Sequence, residues 1–151
     1  MNEKMRAFFE PASIAVIGAS TNPSKLGYAV VKNLIECGYS QKGVVYPINP
    51  SATEILGCRA YASVLDVPGQ IDLAVVVIPY GVVPEALHTC GQKGIPAVVV
   101  ISAGFREAGS EGLERELELI QIAKQYNLRL IGPNCLGVID TFTPLNASFA
   151  A

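Results

Sequence analysis

The residues able to do chemistry fall in five short segments forming four groups, each segment following a run of apolar residues. The first is Gly18-Ala19-Ser20-Thr21-Asn22-Pro23-Ser24-Lys25-Leu26-Gly27, small and hydroxyl-rich, with one ammonium group at Lys25. If it ends at a helix N-terminus, backbone N–H groups, the helix dipole, the Ser20 and Ser24 hydroxyls and the Lys25 ammonium together suit a diphosphate. The second, Pro47-Ile48-Asn49-Pro50-Ser51, carries no acidic side chain. The third, Ile78-Pro79-Tyr80, offers a flat apolar edge on which an adenine or a pantetheine could lie. The fourth group pairs Ser102-Ala103-Gly104-Phe105 with Gly132-Pro133-Asn134-Cys135. Both of these are small and leave backbone N–H groups free, so they can receive the thiol end of a long ligand.

The first turn is not G-x-G-x-x-G, because Ala19 and Ser20 follow Gly18 and the next glycine is Gly27. The second segment discriminates further. A dinucleotide site for NAD usually ends its second strand in Asp or Glu, which holds the ribose 2′-hydroxyl, and its absence here counts against NAD. A carboxylate-free loop leaves room for a ribose that carries phosphate, as in NADP or the 3′-phosphorylated ADP of coenzyme A, and no Arg is present for a 2′-phosphate.

Other reactive side chains read as structural. Cys37 and Cys90 fall in helical patterns as small buried apolar groups, and the wide spacing of Cys37, Cys58, Cys90 and Cys135 gives no zinc or redox pair. The single histidine, His88, shares a polar helix face with Glu85, Thr89 and Gln92 and is expected at the surface. Carboxylates such as Glu107 and Glu111 read as members of a solvated face. No residue is singled out as catalytic or metal-binding.

The elements that must position these segments alternate between short β-branched runs and longer runs of helical period, the form of βαβ units on a parallel sheet. Strands are expected over Ser13–Gly18, Gly43–Ile48, Ile71–Ile78, Ala97–Ile101 and Arg129–Ile131. The run IDLAVVVI is apolar on both faces and belongs at the sheet centre. Helices are expected over Gly27–Cys37, Val83–Lys93 and Glu111–Tyr126, the first burying Val30, Val31, Leu34 and Ile35. The second turns Val83, Ala86, Leu87 and Cys90 inward, and the third Leu113, Leu117, Ile120 and Ala123, with Glu114, Arg115, Glu118 and Gln121 toward water. The stretch from Ser51 to Gln70 holds only a helical turn near Val64–Val67, and the tail from Thr141 to Ala151 shows no period. The whole reads as an α/β, Rossmann-like three-layer domain with a mostly parallel sheet.

With 151 residues, one domain with a proper core is expected, and 50% hydrophobic against 16% charged residues favours a compact chain with a buried sheet. A net charge of −2 and no cluster of Lys and Arg exclude the electrostatic footprint of a nucleic-acid or anionic-membrane binder. The apolar stretch at Ala7–Phe9 is cut off by Glu10 and Pro11, and no run approaches the roughly 20 residues of a membrane span. A cytoplasmic location is expected.

Taken in order, IAVIGAS with a following K-x-G, YPINP, ILGCRAY-x-SVLDVP, VVISAGF and RLIGPNCLG resemble the CoA-binding domain of the ADP-forming acetyl-CoA and acyl-CoA synthetases. More distantly they resemble the succinyl-CoA synthetase α subunit. The resemblance runs from about Met5 to Asn146, and SAGF and GPNCLG are its most specific parts. It implies that 3′-phospho-ADP is held by Gly18, Ala19, Ser20, Lys25 and Gly27 together with Pro47 to Ser51, and that the thiol arm runs toward Ser102, Ala103, Gly104, Asn134 and Cys135. Relatives commonly have Lys after the Asn-Pro of the second loop, where this chain has Ser51.

The family reaction interconverts acyl-CoA, ADP and phosphate with free acid, CoA and ATP through an acyl phosphate and a phosphohistidine. The resemblance places that histidine in a later domain and the ATP-grasp module later still or on another subunit. The chain is thus expected to bind coenzyme A or acyl-CoA without turnover, as the N-terminal part of a longer synthetase whose remaining domains or ATP-grasp subunit are its partners. The ending NASFAA, with no polar tail, points the same way. Two alternatives stand beside this: a non-catalytic CoA-binding module of a regulatory protein or protein acyltransferase, and an NAD(P)-binding domain.

Overall fold

The computed structural model describes residues 1–151. A parallel sheet of five strands forms its middle layer, ordered β2-β1-β5-β6-β7. The strands are β1 (Ser13–Ile17), β2 (Val44–Ile48), β5 (Leu73–Val76), β6 (Ala97–Val100) and β7 (Arg129–Ile131). The three strands that sequence reading ends at Gly18, Ile78 and Ile101 stop one or two residues sooner, so Gly18, Val77–Ile78 and Ile101 belong to the loops. The expected centre agrees: all four residues of β5 are buried, and the strand pairs with β1 and β6.

Alternation splits the core in two. Ile14, Val16, Leu73, Val75, Ala97 and Val99 face one side, and Ala15, Ala74, Val76, Val98 and Val100 the other. The first side is covered by α1 (Glu3–Phe9), α2 (Leu26–Glu36) and a hairpin of β8 (Gly137–Asp140) and β9 (Leu145–Ser148). The second is covered by α3 (Val83–Lys93) and α4 (Ser110–Tyr126). Helix α3 carries Pro84 in its first turn and ends at Gly94 in the left-handed region, as its pattern predicts.

Three parts differ from sequence reading. Helix α1 was not expected: Asn2 accepts from the Lys4 amide at 2.9 Å as its N-cap, and Phe8 is only 1% exposed. The tail without period forms the β8–β9 hairpin, in which Leu145 and Ala147 point inward. On α4 the expected inner stripe is largely outside, with Leu113, Leu117 and Ile120 exposed and only Ala123 buried beside Gly112, Leu119 and Ile122. The reason is Gly112, whose face packs so close to the preceding loop that a Cβ there would lie 1.7 Å from the Phe105 carbonyl oxygen. That approach orients the helix.

Between β2 and β5 there is no crossover helix, in line with the sparse pattern there. The chain makes β3 (Glu54–Ile55), β4 (Cys58–Arg59) and a 3₁₀ turn at Val64–Asp66, capped by the Ser63 hydroxyl accepting from the Leu65 amide at 3.2 Å. Because β1 leads to β2 on one side and β2 leads to β5 on the other, the strand order reverses between β1 and β5. Such a reversal opens a crevice at the carboxyl edge, where ligands of open α/β sheets bind.

Candidate functional site

A cavity of about 870 Å³ occupies that crevice, within the size range of small-molecule and cofactor sites. Its floor is the turn from β1 into α2. Gly18 takes φ +95, and a Cβ on it would lie 2.1 Å from the Val77 carbonyl oxygen. A Cβ on Gly27 would lie 1.9 Å from the Gly18 carbonyl oxygen. The two glycines therefore let strand, turn and helix close on one another, which brings the first turn of α2 to the cavity wall. That helix has no side-chain cap and no acidic residue in its first turn, and Lys25 at its N-cap is the one charged residue in the lining. An uncapped positive dipole end beside an ammonium selects an anion.

Gly18, Ala19, Ser20, Lys25 and Gly27 of the first loop all line the cavity, with Asn49 and Pro50 of the second. So do Ile78 and Pro79 of the third, Ser102 and Ala103 after β6, and Asn134 and Cys135 after β7. Two of these side chains also tie loops together. Asn49 Nδ2 donates to the Ala19 carbonyl at 2.9 Å, and its Oδ1 accepts from the amides of Ser51 and Ala52, both at 2.9 Å. The Ser102 hydroxyl accepts from the Ile78 amide at 3.1 Å, and its carbonyl accepts from the Asn134 amide at 3.0 Å.

Four expected site residues lie outside the lining. Ser24 points into its own turn, its hydroxyl donating to Asn22 Oδ1 at 2.8 Å. Pro47 is buried within β2, where an edge strand tolerates the missing donor. The Ser51 amide donates to Asn49 Oδ1. Gly104 packs behind Tyr80 rather than facing the cavity.

Sequence reading also missed lining residues. Leu26, Val77 and Ile101 come from loop and strand ends whose boundaries it misplaced. Leu136 and Phe149 flank the unexpected hairpin. The only trace of it in the sequence is apolar Leu145 and Ala147 on either side of Asn146, too short a run to mark a strand.

Cys135 is half-buried, and burial pushes its thiol above the ordinary range while its Sγ donates to the Val100 carbonyl at 3.3 Å. At neutral pH it is a protonated thiol, ill-suited to nucleophilic attack. His88 is not a free surface group: it is half-buried, with Nδ1 3.2 Å from the Tyr126 hydroxyl and the two rings edge to face. Glu107, expected on a solvated helix face, instead precedes α4 and accepts from the Gly104 and Phe105 amides. Those hydrogen bonds hold its carboxyl below the usual range.

A parallel sheet with this strand reversal, a glycine-locked turn and an uncapped helix end at the crevice define a Rossmann-like α/β domain. The chain belongs to the CoA binding domain family, whose model matches residues 12–141. It is 51% identical over 142 residues to the alpha subunit of the ADP-forming acetate–CoA ligase II of Pyrococcus furiosus, covering 94% of this chain and 30% of that subunit. Against the ADP-forming acetate–CoA ligase of Methanocaldococcus jannaschii the identity is 51%, over 93% of this chain and 19% of the ligase. The solved acetyl-coenzyme A synthetase 1 of Ca. Korarchaeum cryptofilum, in complex with phosphate and ADP, superposes with a TM-score of 0.94 at 41% identity. That match covers 99% of this chain and 32% of the synthetase. The chain thus spans less than a third of the length of the Pyrococcus furiosus subunit.

Proposed function

We propose that the chain is the coenzyme A anchor of an ADP-forming acyl-CoA synthetase, one domain of a longer enzyme that converts acid, CoA and ATP into acyl-CoA, ADP and phosphate. The observation that carries this reading is the make-up of the cavity. Its β1–β2 end offers Lys25, Ser20 and the α2 amides with no carboxylate at the close of β2, and its far end, with Ser102, Ala103, Asn134 and Cys135, is uncharged, as suits a thiol arm. Length supports the larger assembly, since the relatives are several times longer.

In this reading the α2 amides and Lys25 bind the diphosphate, and the loops after β6 and β7 receive the thiol. Phosphoryl transfer falls to the remaining synthetase domains or to an ATP-grasp subunit. His88 takes no part, because its imidazole is packed between α3 and α4. The isolated chain then binds ligand without turnover.

Calorimetric titration with CoA, dephospho-CoA and NAD under reducing conditions tests the assignment. The expected order is CoA tighter than dephospho-CoA, with no heat from NAD. Preference for NAD over CoA sinks it.

A further inference from the structure

The cavity has two chemically distinct ends. After β1 and β2 it carries Lys25, Ser20, Asn49 and the uncapped α2 amides, and beyond β5, β6 and β7 it is uncharged, lined by Tyr80, Ile101 and Leu136 with the neutral polar groups of Ser102, Asn134 and Cys135. The ends of β1 and β7 are three strand spacings apart, about 14 Å at about 4.8 Å each. On the CoA reading above, on which this inference rests, the charged nucleotide fits only the first end, so the uncharged pantetheine arm must leave over the loop after β5. Tyr80 stands there.

The Tyr80 ring is held before any ligand arrives. The Arg115 guanidinium lies 4.2 Å from the ring centroid, and its Nη1 donates to the Gly104 carbonyl at 3.0 Å. Glu111 lies 3.4 Å from Nη2 of the same guanidinium. Gly104 presses on the ring from the loop side: a Cβ there would come 2.5 Å from its Cδ1. Tyr80 nonetheless remains 45% exposed and contributes to the cavity wall. A ring fixed in this way loses little rotamer freedom on binding, and a flat π-face suits the planar amides of an uncharged arm.

We infer that Tyr80 is the platform for the pantetheine arm and that Arg115, which does not line the cavity, is the positioning residue that clamps it. Arg115 sits on α4 at a position that helical periodicity alone assigns to water; the clamp accounts for its partial burial.

The test titrates the wild-type chain and its Tyr80→Ala, Tyr80→Phe and Arg115→Met variants with CoA and with 3′,5′-ADP, which carries the 3′-phosphate and the first 5′-phosphate without the arm. Tyr80→Ala and Arg115→Met are expected to weaken CoA about tenfold while 3′,5′-ADP stays within about twofold, and Tyr80→Phe to recover most of the CoA affinity. Equal losses for both ligands in Arg115→Met make Arg115 merely structural and overturn the inference, as does unchanged CoA affinity in Tyr80→Ala. A wild-type chain that binds 3′,5′-ADP and CoA equally well overturns the platform while leaving the nucleotide site intact. A wild-type chain that binds neither overturns the CoA reading itself.

Discussion

At one end of the cavity the wall is backbone: Gly18 and Gly27 pack carbonyl against Cα, beside the uncapped first turn of α2. At the other end the wall is side chains from distant parts of the chain, with Tyr80 after β5, Cys135 after β7 and Phe149 beyond β9 meeting in one surface. A backbone wall leaves no room for even one methyl group, whereas a side-chain wall tolerates changes of shape and passes their cost to the packing behind it. The two ends should therefore respond to substitution in different ways.

Gly27→Ala is expected to have the largest effect. With the Gly18 carbonyl oxygen 1.9 Å from the added Cβ, α2 must shift away from β1, and the cradle opens with it. CoA affinity should fall by about a hundredfold or more, with a loss of stability of about 1–3 kcal/mol from overpacking. Calorimetry and urea denaturation measure the two, and wild-type affinity in this variant would break the contrast between the ends.

Leu145→Ala attacks the far end from behind. Leu145 is 1% exposed, and its strand is held to α2 by Asn33 Nδ2, which donates to the Ser148 carbonyl at 2.9 Å and the Ala150 carbonyl at 2.8 Å. Removing the side chain should cost about 2–5 kcal/mol of stability, read from denaturation midpoints. CoA affinity should fall less than in Gly27→Ala, with the loss confined to the arm, so 3′,5′-ADP should bind as before. Loss of both ligands together would show that the hairpin supports the whole cavity and would erase the distinction.

The same contrast decides what could be read in the sequence. The backbone-built end was legible because its causes are local: Gly18, Ser20, Lys25 and Gly27 lie within ten consecutive positions, and β-branched runs on either side mark the strands. The far end depends on where elements meet. Residues Leu113, Leu117 and Ile120 have a faultless helical spacing and still face outward, because a close approach at Gly112 rather than the apolar stripe decides the face of α4. Arg115 looks like a solvent residue on its helix and finds its partners at Gly104, in the loop before that helix, and at Tyr80 in the distant loop after β5. Helix α1 carried a local signal in its Asn2 cap, but its seven residues bury only Ala7 and Phe8. The β8–β9 hairpin packs small residues, Ala147 and Ser148, whose types carry little strand signal of their own.

The smallest expected effect is kinetic and separates the thiols. Burial raises Cys135 above its ordinary value of 9.0 and pushes Cys90 up to about 12. A thiol raised in the folded state contributes stability that is intact below its unfolded value and is lost as the pH climbs through the folded one. Native stability should thus be flat through neutral pH and decline above about 9. Only the thiolate reacts, so iodoacetamide, kept in large excess over the thiol of CoA itself, should modify Cys135 slowly at neutral pH, faster as the pH rises, and more slowly again when CoA fills the cavity. Cys90, fully enclosed between α3 and the sheet, should stay unmodified in the native chain throughout. Peptide mass mapping after timed labelling reads both rates. CoA protection of Cys135 that 3′,5′-ADP does not reproduce would locate the thiol arm at the β7 end. Equal protection by the two ligands would mean that the nucleotide lies there and that the two ends have been assigned the wrong way round.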